Sequence, residues 1–282
     1  MDFKQQIIDE LTERFAVSAN DATDRQFYEA AVGITRGILQ KKRAQSAKRE
    51  KEQGAKKVYY MSMEFLIGRS LKNNLYNLGL ETQMRDALRE LGGDLDKLYE
   101  MEPDAGLGNG GLGRLASCYL DSLTGLNYPA TGFSIRYEFG IFKQVIMDGW
   151  QVEYPDNWLE LGGAWLVPRP DESEEVYFDG YVEENWSDSG LKTVHKDYTR
   201  VLAVPYDILI SGNGDIVNKL RIIYSEVYLL PNGIQNCFFQ SVLPYGMNRT
   251  GFLGQVTICF TYIIDYTAGN FAAHSSSTVS AA

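Results

Sequence analysis

Gly106-Leu107-Gly108-Asn109-Gly110-Gly111-Leu112-Gly113-Arg114 is the stretch that decides the interpretation of this chain, because it places five glycines in eight positions. A run with helical spacing follows it, with Leu115, Ala116, Leu120 and Leu123 at apolar positions. Glycine has no Cβ atom, so the backbone of such a loop can approach a ligand closely. The first turn of a helix carries unsatisfied N–H groups and the positive end of the helix dipole. The combination predicts an anion site, usually for phosphate, with close packing of two backbones as the alternative.

Bulk composition excludes several kinds of partner. The chain has 282 residues, 44% of them hydrophobic, which suffices for one large or two small domains. Its net charge of −10 argues against nucleic acid and against anionic membrane surfaces, because both would need a basic patch. The sequence has two histidines, so a histidine-rich metal site is excluded and no metal is predicted.

Cysteine use and the lengths of the apolar runs indicate a cytoplasmic protein. Cys118, Cys237 and Cys259 are scattered and odd in number, which favours buried thiols in a reducing compartment over disulfides. The first ten residues carry no signal-peptide core. The longest apolar runs, such as residues 256–264, are too short to cross a bilayer.

Helical periodicity dominates the first hundred residues. Apolar positions at helical spacing predict four helices there, over Phe3–Phe15, from about Thr23 to Ile38, over Leu71–Leu78, and from Met84 to a stop at Gly92-Gly93. The charged segment 41–57 is predicted to be a solvated helix and turn. Residues 57–63 are rich in aromatic and apolar side chains, which predicts a strand.

Strand signals dominate after the glycine stretch. They predict strands over Tyr128–Phe142, broken at Gly132 and Gly140, over Tyr198–Val204 and over Val217–Ile223, with a hairpin at Val176–Val182. Helices followed by mixed strands, with one βα unit at the glycine stretch, predict an α/β fold.

An aromatic-rich stretch lies between these strands and contains Trp150, Tyr154, Trp158 and Trp165. Such side chains can stack on sugar rings, although packing in a core is their more common role. The pattern alone leaves both roles open.

The composition changes at about residue 222. The 61 residues from there to the end of the sequence carry three charged side chains, Glu226, Arg249 and Asp265, whereas a globular surface would hold several times more. We therefore expect residues 222–282 to be a poorly ordered segment that is badly matched to residues 1–221.

Two familiar phosphate loops fit the glycine stretch poorly. A nucleotide P-loop needs a lysine and a serine or threonine after its last glycine, and here Gly113 is followed by Arg114-Leu115. The glycines formally satisfy the dinucleotide pattern G-x-G-x-x-G, but residues 99–104 are acidic and contain a proline, unlike the buried strand that this fingerprint requires. An NAD-dependent oxidoreductase is therefore kept as an alternative.

Several longer motifs point to a third kind of loop. Residues 102–116 resemble the glycine loop of the glycogen (α-glucan) phosphorylases, and residues 60–69 and 135–142 resemble two further motifs of that family. Shorter matches at 156–159 and within 204–221 follow in family order, and the resemblance stops after Arg221. Several long motifs in order are far more specific than one G-x-G-x-x-G.

The resemblance implies a fold and a reaction. The fold would be an incomplete N-terminal Rossmann-like lobe of the two-lobed phosphorylase/glycosyltransferase architecture, with helices at its N-terminus. The reaction would be cleavage of terminal α-1,4 bonds of a glucan by orthophosphate, which yields glucose 1-phosphate. The family is homodimeric and uses pyridoxal phosphate bound to a lysine of the C-terminal lobe.

The resemblance also implies site residues. Those that would line the catalytic cleft and contact substrate and phosphate are Asn109, Gly110, Gly111 and Leu112. Gly111 and Leu66 would lie near the cofactor phosphate, while Asp104 and Arg114 would support the loop. These roles agree with the anion site predicted at the helix start, because donors aimed at developing charge contribute strongly to catalysis.

Part of the family pattern is missing from this sequence. The lysines after Lys143 are Lys192, Lys196 and Lys219, and none of them stands in the cofactor-lysine motif. We therefore expect an inactive fragment of the family, with the residues after Arg221 translated out of frame. A non-catalytic carbohydrate-binding or partner-binding remnant is the alternative.

Control by AMP is not expected. Residues 43–51 lack the aromatic side chains through which animal phosphorylases bind AMP. No regulatory serine in a basic setting opens the chain. The resemblance therefore implies an unregulated, bacterial-type enzyme.

Overall fold

The computed structural model describes residues 2–188 and 190–227 of the chain. It divides into two units, one formed by residues 2–168 and 206–222 and the other by residues 169–205 and 223–227. Helices come first and strands follow, so the predicted α/β class is confirmed.

The α-helices that the structure describes belong to the larger unit. They are α1 (Phe3–Phe15), α2 (Asp24–Glu52), α3 (Ser70–Leu78), α4 (Glu81–Glu90), α5 (Leu95–Met101), α6 (Gly111–Gly125) and the short α7 (Leu159–Gly162). Polar side chains set where the first two begin, because Asp2 caps α1 and Thr23 forms a capping box with Gln26 at α2. The predicted helices are confirmed. None of those described is long and apolar enough to cross a membrane.

The core of the helical part is built from apolar side chains of α1–α4. Fully buried side chains there are Ile7, Leu11, Tyr28, Leu39, Leu71, Leu75, Met84 and Leu88. A side chain of this size stabilises the fold by about 1.5–3 kcal/mol when it leaves water.

The predicted helix and turn over residues 41–57 are confirmed and most of these residues are exposed, but one face of the second half of α2 is buried. Ser46 and Glu50 are buried, and the Ser46 hydroxyl accepts a hydrogen bond from the Val217 amide at 3.2 Å. Arg43 pairs with Glu50 at 2.5 Å and also donates to the Val217 carbonyl. One face of this charged helix therefore packs on the chain near Val217, because its charges are neutralised there in pairs.

The strands form one large sheet and two hairpins. They are β1 (Val58–Met61), β2 (Ala130–Ile135), β3 (Lys143–Met147), β4 (Trp150–Tyr154), β5 (Val167–Pro168), β6 (Glu174–Phe178), β7 (Tyr181–Ser187), β8 (Gly190–Lys196), β9 (Thr199–Ser211) and β10 (Val217–Val227). The sheet has the order β1-β2-β10-β9-β5, with β6 also paired to β9. β1 and β2 are parallel, whereas β3–β4 and β7–β8 are separate antiparallel hairpins.

Three strand predictions need correction. Gly132 does not break β2; it lies inside the strand, where a Cβ atom would sit 3.0 Å from the side chains of Leu220 and Phe65. The strand ends at Ile135, well before Phe142. The predicted hairpin over 176–182 is wrong, because β6 pairs with β9 and β7 pairs with β8.

The predicted change at residue 222 falls inside a strand, since β10 continues to Val227. Residues 228–282 lie outside the described residues, as do Cys237 and Cys259. Cys118 is exposed, so the prediction of a buried thiol is wrong at that position.

Three glycines of the glycine stretch hold it against the rest of the larger unit. A Cβ atom at Gly108 would lie 2.8 Å from the Leu66 nitrogen, and one at Gly113 would lie 2.9 Å from the Glu64 side chain. A Cβ atom at Gly106 would overlap the indole of buried Trp158. Close packing therefore explains these three positions.

A buried ion pair links β9 to β10. The Asp207 carboxylate accepts hydrogen bonds from Arg221 Nε at 2.7 Å and Nη2 at 2.8 Å, and Lys219 Nζ lies 3.3 Å away. Asp207 and Arg221 are both buried. Burial acts to raise the pKa of Asp207, but Arg221 and Lys219 together hold it below its usual 3.8.

We predict that Gly108→Ala destabilises the chain by about 1–3 kcal/mol, because the new methyl group meets backbone that cannot move aside. Gly110→Ala is the matched control, since a Cβ atom there meets nothing within 4 Å and the backbone is extended. Urea unfolding measures both variants. Equal losses for the two alanines would contradict the packing role of Gly108.

We also predict that Asp207→Asn costs about 3–5 kcal/mol of unfolding free energy, because it removes the carboxylate that pairs with the buried Arg221 charge. Glu90→Gln serves as the control, since its ion pair with Lys4 is exposed and the loss should stay within about 1 kcal/mol. Because the pKa of Asp207 is lowered on folding, its stabilisation is present above pH 3.8 and disappears as the pH falls through the lower, folded-state pKa. The gap between wild type and Asp207→Asn should therefore stay constant down to about pH 5 and shrink below 3.8. A constant gap down to pH 3 would show that the pKa of Asp207 is not lowered on folding.

Candidate functional site

The start of α6 is the centre of the candidate site. α6 begins at Gly111, and Gly110 is its N-cap residue with an extended backbone. In the part of the chain that the structure describes, no side chain caps this end of the helix. The first N–H groups of a helix have no partner one turn earlier, and a helix of 15 residues concentrates positive potential there. The start of α6 therefore offers uncapped donors to an anion.

Two glycines of the glycine stretch face open space. A Cβ atom at Gly110 or at Gly111 would meet no atom within 4 Å. The flanking residues Asn109 and Leu112 are also exposed. The glycine stretch therefore combines the two predicted roles, which are close packing and an anion site. Close packing explains Gly106, Gly108 and Gly113. Gly110 and Gly111 leave the backbone accessible to a ligand.

A segment before α3, residues 64–67, lies under the glycine stretch. The Phe65 amide donates to the Leu107 carbonyl at 2.8 Å, and the Leu66 amide donates to the Gly113 carbonyl at 3.0 Å. Arg114 Nη1 donates to the Leu66 carbonyl at 3.3 Å. Leu66 and Arg114, both predicted for the site, are therefore brought together beside the start of α6.

Glu64 is a residue of this site that the sequence reasoning did not single out. Its carboxylate accepts a hydrogen bond from the Asn109 amide at 3.2 Å and lies beside Gly113 at the start of α6. Burial and, second, the charge of Glu64 raise the pKa of Tyr137 to about 12. The signal that could have found Glu64 is its place between Met63 and Phe65 in the 60–69 motif.

Asp104 is placed differently from its predicted role. The side chain is exposed, and within the described residues it makes no hydrogen bond that would support the loop. Its charge acts on Asp156, whose pKa is raised by burial first and by Asp104 as well, against the opposing effect of Lys143.

Glu102, two residues before Asp104, makes the kind of hydrogen bonds that were expected of Asp104. Its buried carboxylate accepts from the Ser70 amide at 2.8 Å, the Leu71 amide at 2.9 Å and Trp165 Nε1 at 2.7 Å. These bonds tie the entrance of the loop to the N-terminus of α3. Burial raises the pKa of Glu102, while the three donors oppose that rise.

The dinucleotide arrangement is wrong for this loop. The residues before it form helix α5, which ends at Met101, and the chain then runs through non-helical residues to Gly110. A dinucleotide fingerprint needs a buried strand that leads directly into the glycines.

The lysines after Lys143 do not fit a buried Schiff base. Lys196 pairs with Glu183, and Lys219 contacts Asp207. Lys192 is exposed on β8. A Schiff-base lysine lies in a desolvated or cationic setting, whereas Lys192 is exposed and the other two are next to carboxylates.

The chain is similar to known glycogen phosphorylases. It is 46% identical over 204 residues to the brain form from Bos taurus, which covers 72% of this chain and 24% of that protein. It is 52% identical over 169 residues to the enzyme from Chlamydia trachomatis, covering 59% of this chain and 21% of that protein. With the enzyme from Chlamydia pneumoniae the identity is 44% over 239 residues, which are 84% of this chain and 28% of that protein.

These comparisons also show which part of the family is represented. The chain spans about a quarter of the length of the curated relatives it matches. Residues 88–232 match the family model described as carbohydrate phosphorylase, a range that holds the glycine stretch and continues past Arg221. The predicted end of the resemblance at Arg221 is therefore too early, and the chain belongs to the carbohydrate phosphorylase family.

Proposed function

We propose that the glycine stretch and the start of α6 form the phosphate-facing part of an α-1,4-glucan phosphorylase site. The larger unit would be the corresponding part of a Rossmann-like N-terminal lobe. The reaction of the complete enzyme would transfer the terminal α-1,4-glucosyl unit of a glucan to orthophosphate, giving glucose 1-phosphate. The observation that carries the proposal is the uncapped start of α6, with Gly110 and Gly111 open to a ligand.

The chemistry follows from the accessible donors. The amides of Gly111 and Leu112 would bind phosphate oxygens, and Asn109 and Gly110 would leave room for the sugar. Fixed donors that face developing negative charge lower a reaction barrier without reorganising at the moment of reaction. Leu66 would lie near the cofactor phosphate, because its own amide is fixed to Gly113 at the start of α6.

Pyridoxal phosphate is the cofactor that the family implies, and we infer that this chain by itself does not hold it covalently. The three lysines after Lys143 have the settings described above, which do not fit a Schiff base. No catalytic step is therefore assigned to residues of this chain beyond binding and orienting phosphate and glucan. We also propose a cytoplasmic location, since the cysteines suit a reducing compartment.

The origin of the segment after β10 is a separate proposal. We infer that part of residues 222–282 is translated out of frame, because these 61 residues carry three charges. The family match to residue 232 moves the start of such a segment beyond Arg221. Reading the coding DNA in its other two frames after that point tests this, and a lack of phosphorylase-like sequence there would contradict it.

We predict that inorganic phosphate shifts the amide NMR signals of Gly111 and Leu112, and that Gly110→Asp weakens this binding by about tenfold or more. An aspartate at the N-cap position accepts from the amide of Leu112 or Gly113 and adds negative charge where phosphate would bind. The helix itself should be stabilised by only a few tenths of a kcal/mol, because glycine is already a fair N-cap residue. An NMR titration of the full chain with inorganic phosphate measures the signal shifts and the affinity for phosphate.

Gly110→Ala is the matched control for this titration. The methyl group enters open space and leaves the amides uncovered, so phosphate should bind as it does to the wild type. Equal binding by all three proteins, or no shift at Gly111 and Leu112 in the wild type, would refute the phosphate role.

A second prediction concerns turnover. The chain mixed with pyridoxal phosphate, phosphate and maltodextrin should give no Schiff-base absorbance and no glucose 1-phosphate, because the available lysines are exposed or ion-paired. Absorption spectra and an enzymatic assay for glucose 1-phosphate measure this. Cofactor that binds to the wild type but not to Lys192→Ala, Lys196→Ala or Lys219→Ala would show that the substituted lysine does form the Schiff base.

A further inference from the structure

The β7–β8 hairpin presents one face of mixed aromatic and polar character. Residues directly opposite one another, and residues two apart along a strand, lie on the same face of a hairpin. The register therefore groups three cross-strand pairs on one face, which are Trp186–Leu191, Glu184–Thr193 and Val182–His195.

Aromatic rings stand at both ends of this face. Trp186 at one end is 75% exposed. At the other end the His195 ring lies 5.2 Å from the ring of Tyr198, which lies 4.3 Å from that of Tyr177. Both tyrosines are exposed as well. We call this set of residues the hairpin ribbon.

Polar groups lie between the aromatic ends. Glu184 contributes a carboxylate, Thr193 a hydroxyl and His195 an imidazole. The orientation of the His195 ring is fixed, because its Nε2 atom lies 2.6 Å from the Asp179 carbonyl oxygen and donates to it. Aromatic faces separated by hydrogen-bonding groups suit a ligand that has both apolar faces and hydroxyl groups.

The charges near the ribbon limit the kind of ligand. Glu183 pairs with Lys196 and Glu175 pairs with Arg200, and the remaining cation of the hairpin, Lys192, lies on the opposite face. Glu184 remains as an acidic group on the ribbon itself, within a chain whose net charge is −10. Phosphorylated or nucleic-acid ligands are therefore disfavoured, and a neutral polyhydroxylated ligand is favoured.

The length of the ribbon limits the size of the ligand. Four residue steps separate Val182 from Trp186, which corresponds to about 13 Å of extended strand. That distance exceeds the span of a single sugar ring, so an extended chain of sugars fits better than a monosaccharide.

We propose that the hairpin ribbon is a second carbohydrate-contact surface, separate from the start of α6, that binds an extended neutral glucan through Trp186, Tyr198 and Tyr177. The choice of an α-1,4-glucan rests on the proposed function. Glu184, Thr193 and His195 supply the hydrogen bonds to sugar hydroxyl groups. The surface keeps a polymeric substrate attached without taking part in the reaction.

The β3–β4 hairpin provides an internal comparison. Trp150 is 78% exposed there, but its cross-strand partner is Met147, and the next pair on the same face is Val145–Val152. The third pair on this face is Lys143–Tyr154, so the two hairpins differ in the middle pair, which is apolar Val145–Val152 here and polar Glu184–Thr193 in the ribbon. Trp150 is therefore a matched control of equal size and exposure.

Affinity electrophoresis of the full chain in gels that contain soluble α-glucan tests the proposal. The wild type should be retarded, and Trp186→Ala should weaken the apparent affinity by about five- to tenfold, since one aromatic contact is lost. Tyr198→Ala should weaken it to a similar degree, and Trp186→Phe should restore part of it. Trp150→Ala should migrate like the wild type, and circular dichroism should confirm that each variant is folded.

Several outcomes would overturn the proposal. These are no retardation of the wild type, equal retardation of wild type and Trp186→Ala, an equal loss in Trp150→Ala, or equal retardation by a β-linked glucan. The phosphate titration separates this surface from the proposed function. Trp186→Ala should lose most of its retardation by glucan and still bind phosphate at Gly111.

Discussion

The close approach between residues 64–67 and the glycine stretch is the contact on which the candidate site depends. Two backbone hydrogen bonds join them, from Phe65 to Leu107 and from Leu66 to Gly113. Only a residue without a Cβ atom fits at Gly108 and Gly113, because any side chain there would enter the segment below. The start of α6 is thereby fixed in position by packing on one side, which leaves its other side to the ligand. A site held in this way is preorganised, so little ordering remains to be done when an anion binds.

Much of this arrangement could be predicted from sequence, because it depends on local patterns. Helical spacing located α1, α3 and α4, and the glycines located the start of α6. The motif at 102–116 also identified the family, as the comparisons confirm. The sequence did not show which glycines pack closely and which leave the backbone accessible to a ligand. Gly108 and Gly110 look alike in sequence, and only the neighbouring backbone at Leu66 distinguishes them.

The errors share a physical cause, which is pairing between distant parts of the chain. Residues 176–182 contain a sound turn at Asp179-Gly180, but the strands on either side find partners elsewhere, in β9 and β8. Ser46 and Glu50 look like residues of a solvated helix until the chain near Val217 supplies their partners. Glu102 and Asp104 are two acidic residues of the same short segment, yet only Glu102 reaches the N-terminus of α3. Local composition cannot rank such pairs, because the partner lies 30 or more residues away.

The tryptophans of the aromatic stretch divide into two that are buried and one that is exposed. Trp158 is buried, donates to the Tyr137 carbonyl at 3.1 Å and covers the face of the loop at which Gly106 has no side chain. Trp165 is also buried and donates to Glu102, so both indoles hold the loop through a single N–H each. Trp150 lies on a hairpin and remains in contact with solvent. Burial of an indole N–H is favourable only where an acceptor is at hand. Trp158 and Trp165 meet this condition because the Tyr137 carbonyl and the Glu102 carboxylate supply the acceptors.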